Sequence, residues 1–259
     1  ITSSATFSQN ENTVITTAAA DVTPTDPDGG GSFTHSIVGG VDEDAFTINS
    51  ATGQIFFASL RNFESPGSAS NSNAYVIDVQ VTDTTTAANG VLSSAVQTVT
   101  ITVNDINEAP VITGGDTATA NFVENATGTV IDVAHTDADD SASITYSLSG
   151  SVDDDLFNIA SDTGFVTFIS PPDFETKLGG TGNNSNDYEI EVTATDNGSL
   201  TDTQTITISV TNVNDSTPTF TSSNTFSVAE GGTTVATLEG SDDDGSIPTF
   251  STTLTGTDS

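Results

Sequence analysis

Apolar residues recur at every second position in four stretches of the chain. Tyr75, Ile77, Val79 and Val81 alternate with polar residues, as do Val99, Ile101 and Val103. The same holds for Tyr188, Ile190, Val192 and Ala194, and for Ile206, Ile208 and Val210. Side chains of a strand point to opposite faces in turn, so this alternation predicts strands with one buried face. Thr and Ser fill most of the outward positions, which suits a pleated surface. Turn signals separate the strands, at Asp28–Gly31, Ser50–Gly53 and Asp196–Gly198. No stretch carries a helical period. Tyr75 and Tyr188 open equivalent strands and are read as core.

The pattern repeats at an interval of about 110 residues. The segment Asp42–Gly53 returns as Asp153–Gly164, Asn62-Phe63-Glu64 as Asp173-Phe174-Glu175, and Tyr75–Asp83 as Tyr188–Asp196. The stretch Asp105–Pro110 returns as Asn212–Pro218. A Glu opens the pattern three times, at Glu11, Glu124 and Glu230, and an Asp-x-Asp follows at Asp26/Asp28, Asp137/Asp139 and Asp242/Asp244. Two complete repeats are expected, 1–108 and 109–216, with the first part of a third at 217–259. Each full repeat has the length of a single domain and about seven short strands, which predicts an all-β fold of tandem antiparallel Greek-key β-sandwiches. The 14 Phe supply much of the cores, among them Phe46, Phe57, Phe157 and Phe168.

Composition narrows the function. The chain carries 36 Asp plus Glu against 2 Lys plus Arg, a formal net charge of -34, and no Cys, Met or Trp. Ser and Thr together make up roughly 30%. Such a chain is repelled by nucleic-acid phosphate and by anionic lipid, and no apolar run is long enough to cross a membrane as a helix. Disulfides, Cys-based zinc sites and thiol nucleophiles are excluded. The missing initiator Met and signal peptide suggest a segment of a longer protein. An acid excess fits disorder, salt adaptation or cation binding, and here the acids sit at fixed offsets in loops beside Gly, Asn and Pro, the pattern of cation binding. The runs Asp42–Asp44 and Asp153–Asp155 fall outside that plan and are read as solvated loops. His35 is read as a strand residue and His135 as a surface residue, too far apart in the repeat plan for a zinc site. No nucleophile elbow, phosphate loop or triad is present, so no enzymatic activity is expected.

In its ordered motifs the chain resembles tandem cadherin-like repeats. The hallmarks are Glu11, Asn62-Phe63-Glu64, Asp105–Pro110, Asp137-Ala138-Asp139 and Ala194–Gly198, then Glu124, Asp173-Phe174-Glu175, Asn212–Pro218 and Asp242–Asp244. The resemblance implies Ca²⁺, a hard cation that takes six to eight oxygen ligands. At the first junction it implies Glu11, Glu64, Asp105, Asn107, Glu108, Asp137, Asp139 and Asp196 as ligands. At the second it implies Glu124, Asp173, Glu175, Asn212, Asn214, Asp215, Asp242 and Asp244. Asp26, Asp28 and Asp83 would form a weaker half-site. Asn62, Ala109 and Asn212 each replace a ligand or charge of the family pattern, so three ions per junction is an upper expectation.

Two functions follow from the resemblance. One is a calcium-rigidified extracellular spacer or adhesion segment of a bacterial surface adhesin or filament, whose partners are adjacent repeats. The other is a carbohydrate-binding or homophilic recognition module. Aromatics are only 7%, so stacking platforms for surface glycans are scarce and the spacer is favoured. The incomplete third repeat raises strand donation between like chains in a head-to-tail polymer.

Overall fold

The structure is a computed structural model that describes residues 4–26, 31–84, 92–139, 143–180 and 184–252. The chain divides into two compact units, 1–108 and 109–259. The described residues of the first unit form eight strands: β1 Thr6–Asn10, β2 Ala20–Asp21, β3 Phe33–Gly39, β4 Phe46–Ile48, β5 Gln54–Phe57, β6 Ala74–Asp83, β7 Leu92–Ser93 and β8 Gln97–Asn104. One sheet runs β1-β8-β6-β3, with β7 on β6, and the other β2-β5-β4. The second unit continues with β9 Val111–Ile112, β10 Thr117–Val123, β11 Thr129–Asp132, β12 His135–Thr136, β13 Thr145–Leu148, β14 Phe157–Ile159, β15 Phe165–Phe168, β16 Asp187–Thr195 and β17 Thr201–Thr211. Its sheets run β10-β17-β16-β13 and β11-β15-β14, and β9 pairs with β12. A last pair, β18 Thr219–Phe220 and β19 Gly240–Ser241, follows.

The alternating residues of β6, β8, β16 and β17 are the buried ones. They close one core per unit. Each core carries the same three rings. Phe46, Phe57 and Tyr75 pack with centroids 4.5 to 6.0 Å apart. Phe157, Phe168 and Tyr188 pack at 4.2 to 5.9 Å. Both tyrosines are fully buried, as read from the sequence. His35 is a buried residue of β3, and His135 is exposed in β12, its Nδ1 2.6 Å from the Tyr146 hydroxyl.

The turns before β5 and β15 need glycine. Gly53 and Gly164 have φ of +79° and +75°, and a Cβ on either would lie 2.3 Å from a backbone carbonyl, Val22 O or Val133 O.

Two readings change. One pairing in each unit is parallel: β1 lies beside β8 with Phe7 opposite Ile101, and β10 beside β17 with Ala120 opposite Ile208. The acidic runs also differ from the solvated loops expected. Glu43, Asp44 and Asp155 are exposed, but Asp42 and Asp153 are buried. Asp42 accepts the amides of Ala69 (2.6 Å) and Val76 (2.7 Å). Asp153 accepts those of Gly180 (3.0 Å) and Glu189 (2.8 Å). A buried carboxylate is tolerable only when such donors replace its water, and strand amides supply them here. The 217–252 segment holds one described strand pair, and Phe220, Phe226 and Phe250 are exposed there.

Candidate metal centres

The parallel pairing decides where the acids meet. It brings the C-terminal ends of β1 and β8 side by side, and the Glu11 amide donates to Asn104 O at 3.0 Å. Glu124 does the same to Thr211 O at 3.1 Å. Both glutamates turn inward and are only 3% and 2% exposed. The two oxygens of Glu11 accept the amides of Phe63 (2.8 Å) and Ile106 (2.9 Å). Those of Glu124 accept Phe174 (2.8 Å) and Val213 (2.5 Å). Each carboxylate therefore clips the strand end to the Phe-Glu loop and to the linker that follows the last strand. An ionised carboxylate has about four lone-pair sites, and the clip uses two of them.

The remaining lone pairs face other acids. In the first unit one carboxylate oxygen from each of Glu11, Glu64 and Asp105 lies within 4.8 Å of the other two. In the second unit Glu124, Glu175 and Asp244 meet the same condition. Glu175 Oε1 and Asp244 Oδ1 are buried and have no hydrogen-bond partner among the described residues. Burial raises the Glu175 carboxyl above its ordinary 4.5; its own backbone amide opposes this, and the negative charges of Glu124, Asp244 and Asp173 reinforce it. Oxygen-only donors, converging charge and buried oxygens without partners fit a hard divalent cation.

Several of the other sequence-read residues are held by hydrogen bonds of their own segments. Asn212 Nδ2 donates to Asp244 O (3.2 Å), Ser216 N to Asp244 Oδ2 (2.7 Å), and Ser246 Oγ to Asn214 Oδ1 (3.0 Å). Asp242 Oδ1 accepts the Asp244 amide (3.1 Å), and Asp137 Oδ1 accepts that of Asp139 (2.9 Å). Among the described residues, Asp137 Oδ2 is buried without a partner. Asp173 accepts three donors of its own turn, from Glu175 N, Thr176 N and Thr176 Oγ1. Asn62 keeps part of that role, accepting Ser65 N at 2.6 Å. Asp196 is buried and accepts Leu200 N at 2.8 Å. Asn107, like Asp105, is exposed, and Asp26 and Asp83 are half-buried. Asp28 lies outside the described residues.

Sequence reasoning missed one pair. Asn12 and Asn125 follow the clip glutamates and sit at φ +54° and +58°. Their amides donate to Glu108 Oε1 (2.7 Å) and Asp215 Oδ2 (2.5 Å), which orients a linker acid in each unit. The signal was the repeated Glu-Asn dipeptide, since Asn tolerates the left-handed region better than most residues.

Residues 118–211 match the family model described as "Cadherin domain". Mouse protocadherin Fat 4 is 31% identical over 151 residues, covering 57% of this chain and 3% of that protein. The chain thus spans a small fraction of the curated relative it matches. Among solved structures, human CDH23 EC21-23 is 25% identical with a TM-score of 0.60, covering 92% of this chain and 82% of that one. Mouse cadherin-23 EC22-24 is 25% identical with a TM-score of 0.64, covering 92% and 74%. With the observed sheets, these matches show an all-β fold of cadherin-like β-sandwich repeats, in which residues 118–211 are the stretch that matches the family model.

Proposed function

We propose that this chain is a calcium-binding, calcium-rigidified spacer within an extracellular adhesion protein, divided into repeats 1–108, 109–216 and 217–259. The observation that carries the reading is the Glu124–Glu175–Asp244 cluster, in which two buried carboxylate oxygens have no hydrogen-bond partner. Ca²⁺ supplies a positive charge that these oxygens can share. Glu124, Glu175 and Asp244 would hold it, with Asn212, Asn214, Asp215, Asp242 and Asp173 completing the oxygen set. Glu11, Glu64 and Asp105 are the corresponding anchors in the first unit. The further ligands Asn107, Glu108, Asp137, Asp139 and Asp196 rest on the resemblance to cadherin repeats. A half-site at Asp26, Asp28 and Asp83 rests on the same resemblance.

The mechanical role follows from charge. Carboxylates this close repel one another, so the metal-free linker is pushed open. Calcium reverses the sign and ties Glu124 on the strand end, Glu175 on its loop and Asp244 on the following segment to one centre. Placement in a bacterial surface protein is supported by composition alone, acid-rich and Ser/Thr-rich without Cys. Small-angle scattering with calcium and with chelator tests the proposal, beside a calorimetric calcium titration. The maximum dimension is expected to be larger and sharper with calcium. An unchanged scattering profile, or no heat of binding, refutes it.

A further inference from the structure

The two repeats differ at one slot beside the aromatic core. In the first unit, Arg61 lays its guanidinium carbon 4.9 Å from the Phe57 ring centroid and 5.1 Å from that of Tyr75. Its Nη2 donates to Ala45 O at 3.2 Å, an oxygen that also accepts the Ala58 amide. Arg61 Nε has no hydrogen-bond partner among the described residues, so the ring faces and one carbonyl hold the cation. Space is left by Gly67, where a Cβ would stand 3.3 Å from Arg61 Nη1. The chain has only two Lys plus Arg, and one of them is placed here.

The second unit rebuilds the ring and carbonyl walls of this slot without the arginine, and Leu178 stands where Gly67 does in the first. Phe168 and Tyr188 replace Phe57 and Tyr75 with the same 5.2 Å centroid separation and a near-perpendicular arrangement. Leu156 O replaces Ala45 O and accepts the Ile169 amide at 2.9 Å, as Ala45 O accepts Ala58. Pro172 stands where Arg61 stood; its carbonyl accepts Asn125 N (2.8 Å) as the Arg61 carbonyl accepts Asn12 N (2.9 Å). Proline cannot reach back over the rings. A cleft of about 120 Å³ remains, bounded by Phe168, Tyr188, Leu156, Pro171 and Leu178, with Asp155 also in its lining. That is several times the roughly 10–15 Å³ that one water needs. Asp155 is exposed and negative, so the rim favours a positive guest.

We propose that this cleft of the second repeat is a recognition site for a guanidinium group, taking in trans the arginine side chain that the first repeat supplies in cis. The aromatic faces attract a cation, Leu156 O is placed to accept one N–H, and the surrounding charge of -34 draws basic partners. The partner is a chain that presents an exposed arginine.

Titration of the whole chain with N-acetyl-arginine amide, followed by amide resonances in two-dimensional NMR, tests the proposal. The Leu156, Ile169 and Leu178 amides are expected to shift with half-saturation at roughly 1–10 mM. The Ala45, Ala58 and Gly67 amides should stay still, because Arg61 fills their slot. N-acetyl-citrulline amide, neutral and nearly isosteric, should shift neither set. Arg61→Ala should open the first slot, so that arginine then moves its amides as well. Pro172→Arg should fill the second slot and weaken arginine binding there about 10-fold or more. Equal shifts with citrulline, no saturable shift in the second repeat, or unchanged binding in Pro172→Arg would each overturn it.

Discussion

Replacing Glu124 by Gln separates the structural task of the acid cluster from its metal task. Glu124 is 2% exposed, and its two oxygens accept Phe174 N and Val213 N. Glutamine has one carbonyl oxygen, so one amide must face an NH₂ group. Hydrogen bonds to a charged acceptor are worth about 1.5–3 kcal/mol net, and neutral ones about 0.5–1.5. Losing one bond and weakening the other costs about 2–4 kcal/mol. At about 4–8 °C per kcal/mol for a domain of this size, the second repeat should melt roughly 10–30 °C lower in chelator. Removing a charge from the cluster works the other way, because Glu175 and Asp244 lose a repelling neighbour. Glu175→Gln provides that comparison, since it removes the same charge without breaking the clip. Calorimetry of both variants in chelator, with amide exchange at Phe174 and Val213, decides the matter. A Glu124→Gln melting point equal to wild type, or raised as in Glu175→Gln, would refute the clip.

Three more outcomes follow. Glu175→Gln should stabilise the metal-free protein at neutral pH while weakening calcium binding by about 10-fold or more. Because the folded protein raises the Glu175 carboxyl above its ordinary 4.5, its favourable contribution is complete below that value and is lost as pH rises through the raised one. The stability gap between Glu175→Gln and wild type, read by urea denaturation in chelator, should therefore shrink on acidification; a gap that widens contradicts the sign. Asp153→Ala, which strands the Gly180 and Glu189 amides, should cost about 2–4 kcal/mol, whereas exposed Asp155→Ala should stay within about 0.5. Equal effects in urea denaturation would return Asp153 to the status of a loop acid.

The strands and cores of both repeats are legible in the chain because strand periodicity is local: alternation at Tyr75–Val81 and at Tyr188–Ala194 already names the buried face. The repeat also makes the acid motifs visible, since the same Glu, Phe-Glu and Asp-x-Asp spacings return about 110 residues later. Convergence of those acids is a different matter. Glu11 and Asp105 are far apart in sequence, and it is the parallel seating of β1 on β8 that puts them at one end of the sheet. A period of two says nothing about strand direction. Burial of Asp42 and Asp153 is equally invisible, because an acid beside a turn looks the same whether water or strand amides solvate it. The open slot over Phe168 and Tyr188 is the last case. The exchange of Arg61 for Pro172 is plain in the sequence, but only the packed rings reveal that Arg61 lies over Phe57 and Tyr75 and that the equivalent rings border a cleft.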